Sequence, residues 1–300
     1  MEVLDLIGET PLLSMDKLLG ADAPARIFAK AEFMNPSGSV KDRAAKAMIL
    51  DGVKRGALDK DKTIIDATSG NTGISMAMIA SALGYKALLY LPANANLERK
   101  ALIRAYGASL VETDPLEGSD GAYLAVRAET EKDPTRYFYP DQYNNPVNPQ
   151  THFETTGREI LDRLGGAVTH FIAAMGTSGT FMGTSRRLKA FDGRIKCLAV
   201  QPDSPLHGIE GVKHMGSTIK PGIYRPELID SVVTVSTEEA ASLARVLAKR
   251  LGLLVGLSSG ANLAGALKLA RALPRGSVIV TVFGDSGARY LSGPLFRELP

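Results

Sequence analysis

Residues 63–83 read TIIDATSGNTGISMAMIASAL, and the fold class follows from that one stretch. Thr63–Ala67 is β-branched and apolar and reads as a strand. Ser69-Gly70-Asn71-Thr72-Gly73 is a turn, and 72–83 is an almost wholly apolar helix that has to be buried. The pattern recurs in both directions from there. Strands are expected at 26–31, 86–92, 109–112, 170–174, 196–201, 232–235 and 278–283. Helices are expected at 40–56, 97–106, 118–132, 151–164, 181–191, 237–251 and 259–272. Strands separated by about 10–15 residues of helix mean βαβ units and mostly parallel sheets. The expected class is α/β, with two domains, each a mostly parallel twisted sheet flanked by helices. The Asn/Pro-rich stretch 140–149 is the best crossing point, which sets the expected domains at 1–145 and 146–300.

Length and composition agree. At roughly 100–200 residues per domain, 300 residues suit two. With 45% hydrophobic and 22% charged residues the chain is globular, not disordered. Lys and Arg exceed Asp and Glu by 35 to 32, with no long basic run, so nucleic acid and anionic membranes are not expected partners. No stretch reaches the ~20 apolar residues that cross a bilayer. Glu2, Asp5 and Glu9 stand where a secretory leader needs positive charge, so a cytoplasmic protein is expected. The single cysteine, Cys197, excludes an internal disulfide and reads as a core thiol in a strand. His152, His170, His207 and His214 have no metal-ligand spacing, and there is no G-x-S-x-G elbow, so no metal and no Ser/His chemistry is expected.

An open α/β sheet binds its ligands outside the carboxyl ends of its strands, and four turns lie there. Gly176-Thr177-Ser178-Gly179-Thr180 follows the strand at 170–174 and opens a helix. Two glycines and three small hydroxyl residues let the backbone approach a ligand, and free N–H groups at a helix start favour a phosphate. The same residues also describe a plain capped turn. Asn35-Pro36-Ser37-Gly38-Ser39-Val40-Lys41 opens a helix with a lysine in its first turn, where the dipole disfavours a cation. That place suits an amine of lowered pKa, the requirement of a Schiff-base lysine, and equally a solvated surface lysine. Ser69–Gly73 offers hydroxyls, a carboxamide and N–H groups to a carboxylate or a ring hydroxyl, or else caps its helix. Ser258, in Gly256-Leu257-Ser258-Ser259-Gly260, also has a cap as its isolated reading.

Taken together the four segments resemble the fold-type II family of pyridoxal-phosphate (PLP) enzymes, whose fold is tryptophan synthase β-like. Within it they are similar to the cysteine synthases, or O-acetylserine sulfhydrylases. The motifs are 35–43 (NPSGSVKDR), 68–73 (TSGNTG), 176–180 and the turn around Ser258, and the likeness extends from GETPL at 8–12 to DSGARYL at 285–291. The resemblance implies that Lys41 carries PLP as a Schiff base and moves the α-proton, and that Asn71 contacts the ring hydroxyl. Gly176, Thr177, Ser178, Gly179 and Thr180 would bind the phosphate and Ser258 the ring nitrogen. Thr68, Ser69, Thr72 and Gln142 would form the pocket for the substrate carboxylate. A serine at the ring nitrogen, in place of a carboxylate, makes the ring a weaker electron sink and favours β-elimination over transamination. The implied reaction makes L-cysteine from O-acetyl-L-serine or O-phospho-L-serine and sulfide or thiosulfate, through an aminoacrylate intermediate. A subdomain at about 83–128 would close over it, and residues about 10–33 would cross into the other sheet. A homodimer is the family expectation; serine acetyltransferase is a possible partner that is not predicted.

The run His207-Gly208-Ile209-Glu210-Gly211-Val212-Lys213-His214-Met215-Gly216 departs from the commonest cysteine synthase pattern. With Lys220-Pro221-Gly222-Ile223-Tyr224 it resembles the cysteine synthase B branch. There Lys213, with His214, would meet a second anion such as thiosulfate or a donor phosphate, or it is a solvated lysine. Two alternatives stand beside cysteine synthesis: a cystathionine β-synthase-like or other β-replacement or elimination, and a catalytically idle paralogue that binds a partner through its cleft.

Overall fold

The computed structural model describes residues 1–20, 23–68 and 70–297. In chain order its elements are β1 Leu12–Ser14, α1 Asp16–Leu19, β2 Ala25–Ala31, α2 Lys41–Lys54, β3 Thr63–Ala67, α3 Asn71–Leu83 and β4 Lys86–Pro92. Then come α4 Leu97–Ala105, β5 Ser109–Thr113, α5 Gly118–Lys132, β6 Tyr137–Phe138, α6 Val147–Glu154 and α7 Thr156–Leu164. The remainder are β7 His170–Ala174, α8 Gly179–Phe191, β8 Lys196–Pro202, β9 Ser231–Val235, α9 Thr237–Leu251, α10 Leu257–Ala270 and β10 Ser277–Phe283.

The strands form two sheets. One runs β1-β2-β10-β7-β8-β9, parallel throughout except for β1 against β2. The other runs β5-β4-β3-β6, all parallel. Residues 12–14 and 25–31 thus sit in the sheet otherwise built from the second half of the chain. Alternation along the strands gives the six-stranded sheet two apolar faces. Ile172, Leu198 and Ile279 pack with α9 and α10, while Phe171, Cys197 and Val280 pack with Phe181 and Leu188 of α8. A buried side chain of this size contributes about 1.5–3 kcal/mol, and a strand buried on both faces reads as an unbroken apolar run. Cys197 is fully buried and burial pushes its thiol up to about 11, an inert core residue.

Local signals set the helix ends. α9 opens with a capping box in which Ser236 Oγ accepts from Glu239 N–H and Glu239 accepts from Ser236 N–H, and closes on Gly252 in the left-handed region. The single helix expected over 151–164 is two helices, with the first starting earlier, at Val147. They break at Thr155, whose ψ of −76° departs from helix and whose hydroxyl bonds back to the Thr151 carbonyl over 2.7 Å.

Candidate active site

Three loops leave neighbouring strands of the large sheet at their carboxyl ends and enclose one cavity. The chain after β2 brings Val40 and Lys41, the chain after β7 brings 175–181, and the chain after β10 brings Gly284; Ser258 and Asn262 of α10 close it. Asn262 fixes this corner: its Oδ1 accepts from Ala174 N–H and its Nδ2 donates to the Val282 carbonyl, both over 2.7 Å. The helix is thereby stitched to the ends of β7 and β10.

Lys41 is the first residue of α2. The turn before it is held by Asp42, which accepts from Ser37 N–H over 2.7 Å, from Ser37 Oγ, and from Ser75 Oγ over 2.5 Å. The Lys41 side chain is not sealed from water, but the protein around it is dense enough that burial pushes the amine's pKa down. Asp285 acts in the opposite sense and does not restore it. Among the described residues no hydrogen-bond acceptor holds that amine.

Residues 176–180 form a cradle. Ser178 is the cap of α8 in a left-handed conformation, φ 73°, and the first helical bond runs from Met182 N–H to the Ser178 carbonyl. The N–H groups before it have no partner within the helix. A strained backbone for a non-glycine residue marks a place the surroundings over-determine. Ser178 Oγ is buried without a hydrogen-bond partner among the described residues. A Cβ at Gly176 would stand 2.3 Å from the Gly211 carbonyl oxygen. Behind the cradle, Thr180 Oγ1 lies 3.2 Å from His152 Nε2, and His152 Nδ1 lies 2.9 Å from Thr156 Oγ1. Burial, and secondarily Arg43, drives His152 down to about 3, so it stays neutral. His152 is therefore a hydrogen-bonding relay behind the loop, a role its isolated position in the sequence did not show.

The small sheet contributes the loop after β3. Thr68 Oγ1 accepts from Gly70 N–H and Gly73 N–H, each over 2.9 Å, capping α3. Thr72 Oγ1 donates to Gln142 Oε1 over 2.8 Å, and Gln142 Nε2 donates to the Ala67 carbonyl over 2.7 Å. The expected carboxylate residues Thr68, Thr72 and Gln142 therefore do converge, while Ser69 lies outside the described residues. Asn71 opens α3 and reaches the chain after β10, where Nδ2 donates to Asp285 Oδ2 over 2.8 Å and Oδ1 accepts from Arg289 Nη1. Ser258 is in the first turn of α10 on the cavity wall, with no hydrogen bond to another described residue.

Lys213 does not line this cavity. It is 8% exposed, and its amine is committed to Asp120 of α5 at 2.7 Å, above the Tyr143 ring. His214 bonds locally to Ser217 Oγ over 2.9 Å. Among the described residues no group of three or more His, Cys, Asp or Glu is placed to hold a metal, and no helix is long and apolar enough to cross a membrane.

The residues present fit pyridoxal phosphate. Ser178 Oγ and the free helix-start N–H groups match the phosphate, the lowered Lys41 amine the aldehyde, and the unpaired Ser258 hydroxyl the ring nitrogen. Gly176→Ala is then expected to weaken cofactor retention about ten- to hundredfold. Overpacking against a backbone oxygen costs about 1–3 kcal/mol, and dialysis followed by absorbance of the retained cofactor measures it. Unchanged retention would show that Gly176 does not shape the cradle.

Comparison with known proteins agrees. A family described as "Pyridoxal-phosphate dependent enzyme" matches residues 3–285. The chain is 51% identical to the cysteine synthase of Aquifex aeolicus (strain VF5), over 99% of this chain and 92% of that one. It is 42% identical to cysteine synthase B of Salmonella typhimurium, over 97% and 95%. A crystal structure of O-acetylserine dependent cystathionine beta-synthase from Helicobacter pylori superposes with a TM-score of 0.93 at 37% identity, covering 99% of each chain. The chain belongs to the pyridoxal-phosphate dependent enzyme family, in its cysteine synthase group.

Proposed function

We propose that the protein makes L-cysteine from O-acetyl-L-serine and sulfide. The observation that carries this is the cavity itself. It sets an amine of lowered pKa, a phosphate cradle and a neutral hydroxyl on one small space, in a chain half identical to a cysteine synthase. When bound, pyridoxal phosphate supplies the electron sink that acidifies the α-hydrogen of an attached amino acid and lets its β-substituent leave. Lys41 would hold the cofactor's aldehyde and, when free, would take the α-proton of a bound amino acid on Nζ and return one. Ser258 would meet the ring nitrogen through a hydroxyl, without the charge a carboxylate would bring. Thr68 still has its hydroxyl hydrogen to give, and with Thr72, Ser69 and Gln142 it receives the substrate carboxylate. Residues about 83–128 close over the substrate and exclude water. Asp120 supports this, since it ties α5 to Lys213 and also accepts from Ile219 N–H at 3.2 Å.

The decisive assay supplies O-acetyl-L-serine and then sulfide while following cysteine and the cofactor's visible band. Cysteine should form, and the band should change with the donor and recover with sulfide. A band indifferent to O-acetyl-L-serine, with no cysteine, would refute the reading. Because the Helicobacter pylori neighbour is a cystathionine synthase, L-homocysteine is the nucleophile to compare.

Lys213 is expected to act through closure and not through a donor phosphate, because Asp120 already meets its charge. Lys213→Ala should lower kcat/KM for O-acetyl-L-serine and O-phospho-L-serine by the same factor, about three- to tenfold for one partly buried charged hydrogen bond. A loss confined to O-phospho-L-serine would restore the anion-binding role.

A further inference from the structure

The Asn71 carboxamide is gripped at both ends by the seven residues after β10. Its Nδ2 donates to Asp285 Oδ2 over 2.8 Å and its Oδ1 accepts from Arg289 Nη1. A guanidinium only donates and an ionised carboxylate only accepts. The amide therefore has a single allowed orientation; reversed, it would set NH₂ against NH₂ and oxygen against oxygen. One Nδ2 hydrogen is used by Asp285, and the other has no acceptor among the described residues. The oxygen, held by Arg289, faces a partner that can only donate.

The grip is built in. Asp285 and Arg289 are 2% and 3% exposed. Tyr290 OH donates to the same Asp285 Oδ2 over 2.7 Å, and Arg99 Nη2 donates to Tyr290 OH over 2.9 Å. The segment is also tied to the turn before Lys41, through Val40 N–H to the Gly284 carbonyl at 2.8 Å and Ser286 N–H to the Gly38 carbonyl at 3.1 Å. The partners lie 214 and 218 residues apart and on different sheets. Asp285 Oδ1 is buried and has no hydrogen-bond partner among the described residues. A carboxylate kept this way, next to Gly284 of the cavity wall, is costly, so a function for it is expected.

We propose that Asp285 and Arg289 are positioning residues that lock the Asn71 carboxamide, so that residue 71 meets the cofactor's ring oxygen as a hydrogen-bond donor and not as an acceptor. The proposal rests on the cofactor reading above. A donor there favours the ionised ring oxygen; an amide free to rotate would also present its own oxygen and favour the protonated one.

The test compares holoenzymes of wild type, Asp285→Asn, Arg289→Lys, Asn71→Ala and the double variants. Asp285→Asn keeps shape and removes the acceptor-only end; Arg289→Lys keeps charge and removes the planar fork. Each single variant should shift the balance of the bound cofactor's absorbance bands toward the shorter-wavelength form with a protonated ring oxygen. It should raise the cofactor dissociation constant about tenfold, as expected for loss of one charge-assisted hydrogen bond. The KM for donor should stay within about twofold while kcat falls. In the Asn71→Ala background neither substitution should move the bands further, because residues acting through one side chain are not additive. A merely structural pair would lower the melting temperature and leave the band balance alone, which overturns the proposal, as does an additive cycle. If one variant does not fold, the other reads the same lock from its opposite end. Wild-type protein lacking the bands would refute the cofactor reading instead; bands that ignore both substitutions refute the lock alone.

Discussion

Lys41→Ala abolishes cysteine formation by at least about a thousandfold, and borohydride no longer fixes cofactor to the chain. General acid–base catalysis alone contributes about 10²–10⁴-fold, and this side chain is also the proposed covalent anchor. Two features of the structure make the prediction specific. The amine has no hydrogen-bond acceptor among the described residues, and burial lowers its pKa against the opposing effect of Asp285, so more of it is neutral at working pH than of a solvated lysine. Removing an amine held this poorly should not destabilise the chain, and the cofactor-free variant should melt at or above the temperature of cofactor-free wild type. The 176–180 cradle remains, so cofactor should still bind without a covalent link. A variant that keeps a tenth of the activity, or that still yields a borohydride adduct, shows that residue 41 is not the anchor.

Much of this was readable because the turns that matter are local. The strand and turn at 63–73 and the run at 176–180 announce themselves by composition, since a backbone that opens toward a ligand after a strand needs glycines and small hydroxyls. Other features were hidden for a physical reason. β1 and β6, of three and two residues, are too short to show a period. The break at Thr155 is a distortion of one residue, φ −115° and ψ −76°, which apolar spacing does not register. Asp285 and Arg289 sit in the motif at 285–291, and their partner is a residue more than two hundred positions away, which no local pattern shows. Lys213 illustrates the same point: its amine meets Asp120, 93 positions earlier, a contact that no local spacing shows.

Arg43, in the motif at 35–43, is the centre of a buried knot. Its guanidinium binds Glu32 through Nε at 2.7 Å and Nη2 at 2.8 Å, and Glu159 through Nη1 at 2.6 Å and Nη2 at 2.7 Å. Lys30 meets Glu159 at 2.6 Å, and Thr10 Oγ1 donates to Glu32 at 2.6 Å. Two cations and two anions, all nearly sealed from water, join β2, the helix that begins at Lys41, and α7. The net charge is zero, so the knot is tolerable while complete and costly once broken. Arg43→Met should cost about 3–5 kcal/mol in urea unfolding at pH 7, because it strands two carboxylates beside one lysine. Replacing Arg43 and Glu32 together with Met and Gln, which leaves the neutral pair of Lys30 and Glu159 at 2.6 Å, should recover a large part of that loss. The pH dependence follows in sign. Burial alone would raise Glu32, but Arg43, Lys30 and Thr10 outweigh it and hold it down to about 2; Glu159 is lowered the same way. A carboxyl depressed on folding adds stability that is complete above its unfolded value near 4.5 and is lost as pH falls toward 2. The gap between wild type and Arg43→Met should therefore be full at pH 7 and narrow below about pH 4.5, on the same titration basis. A gap under about 1 kcal/mol, or one that does not change between pH 7 and pH 3, would mean that the knot's charges are not what joins these three elements.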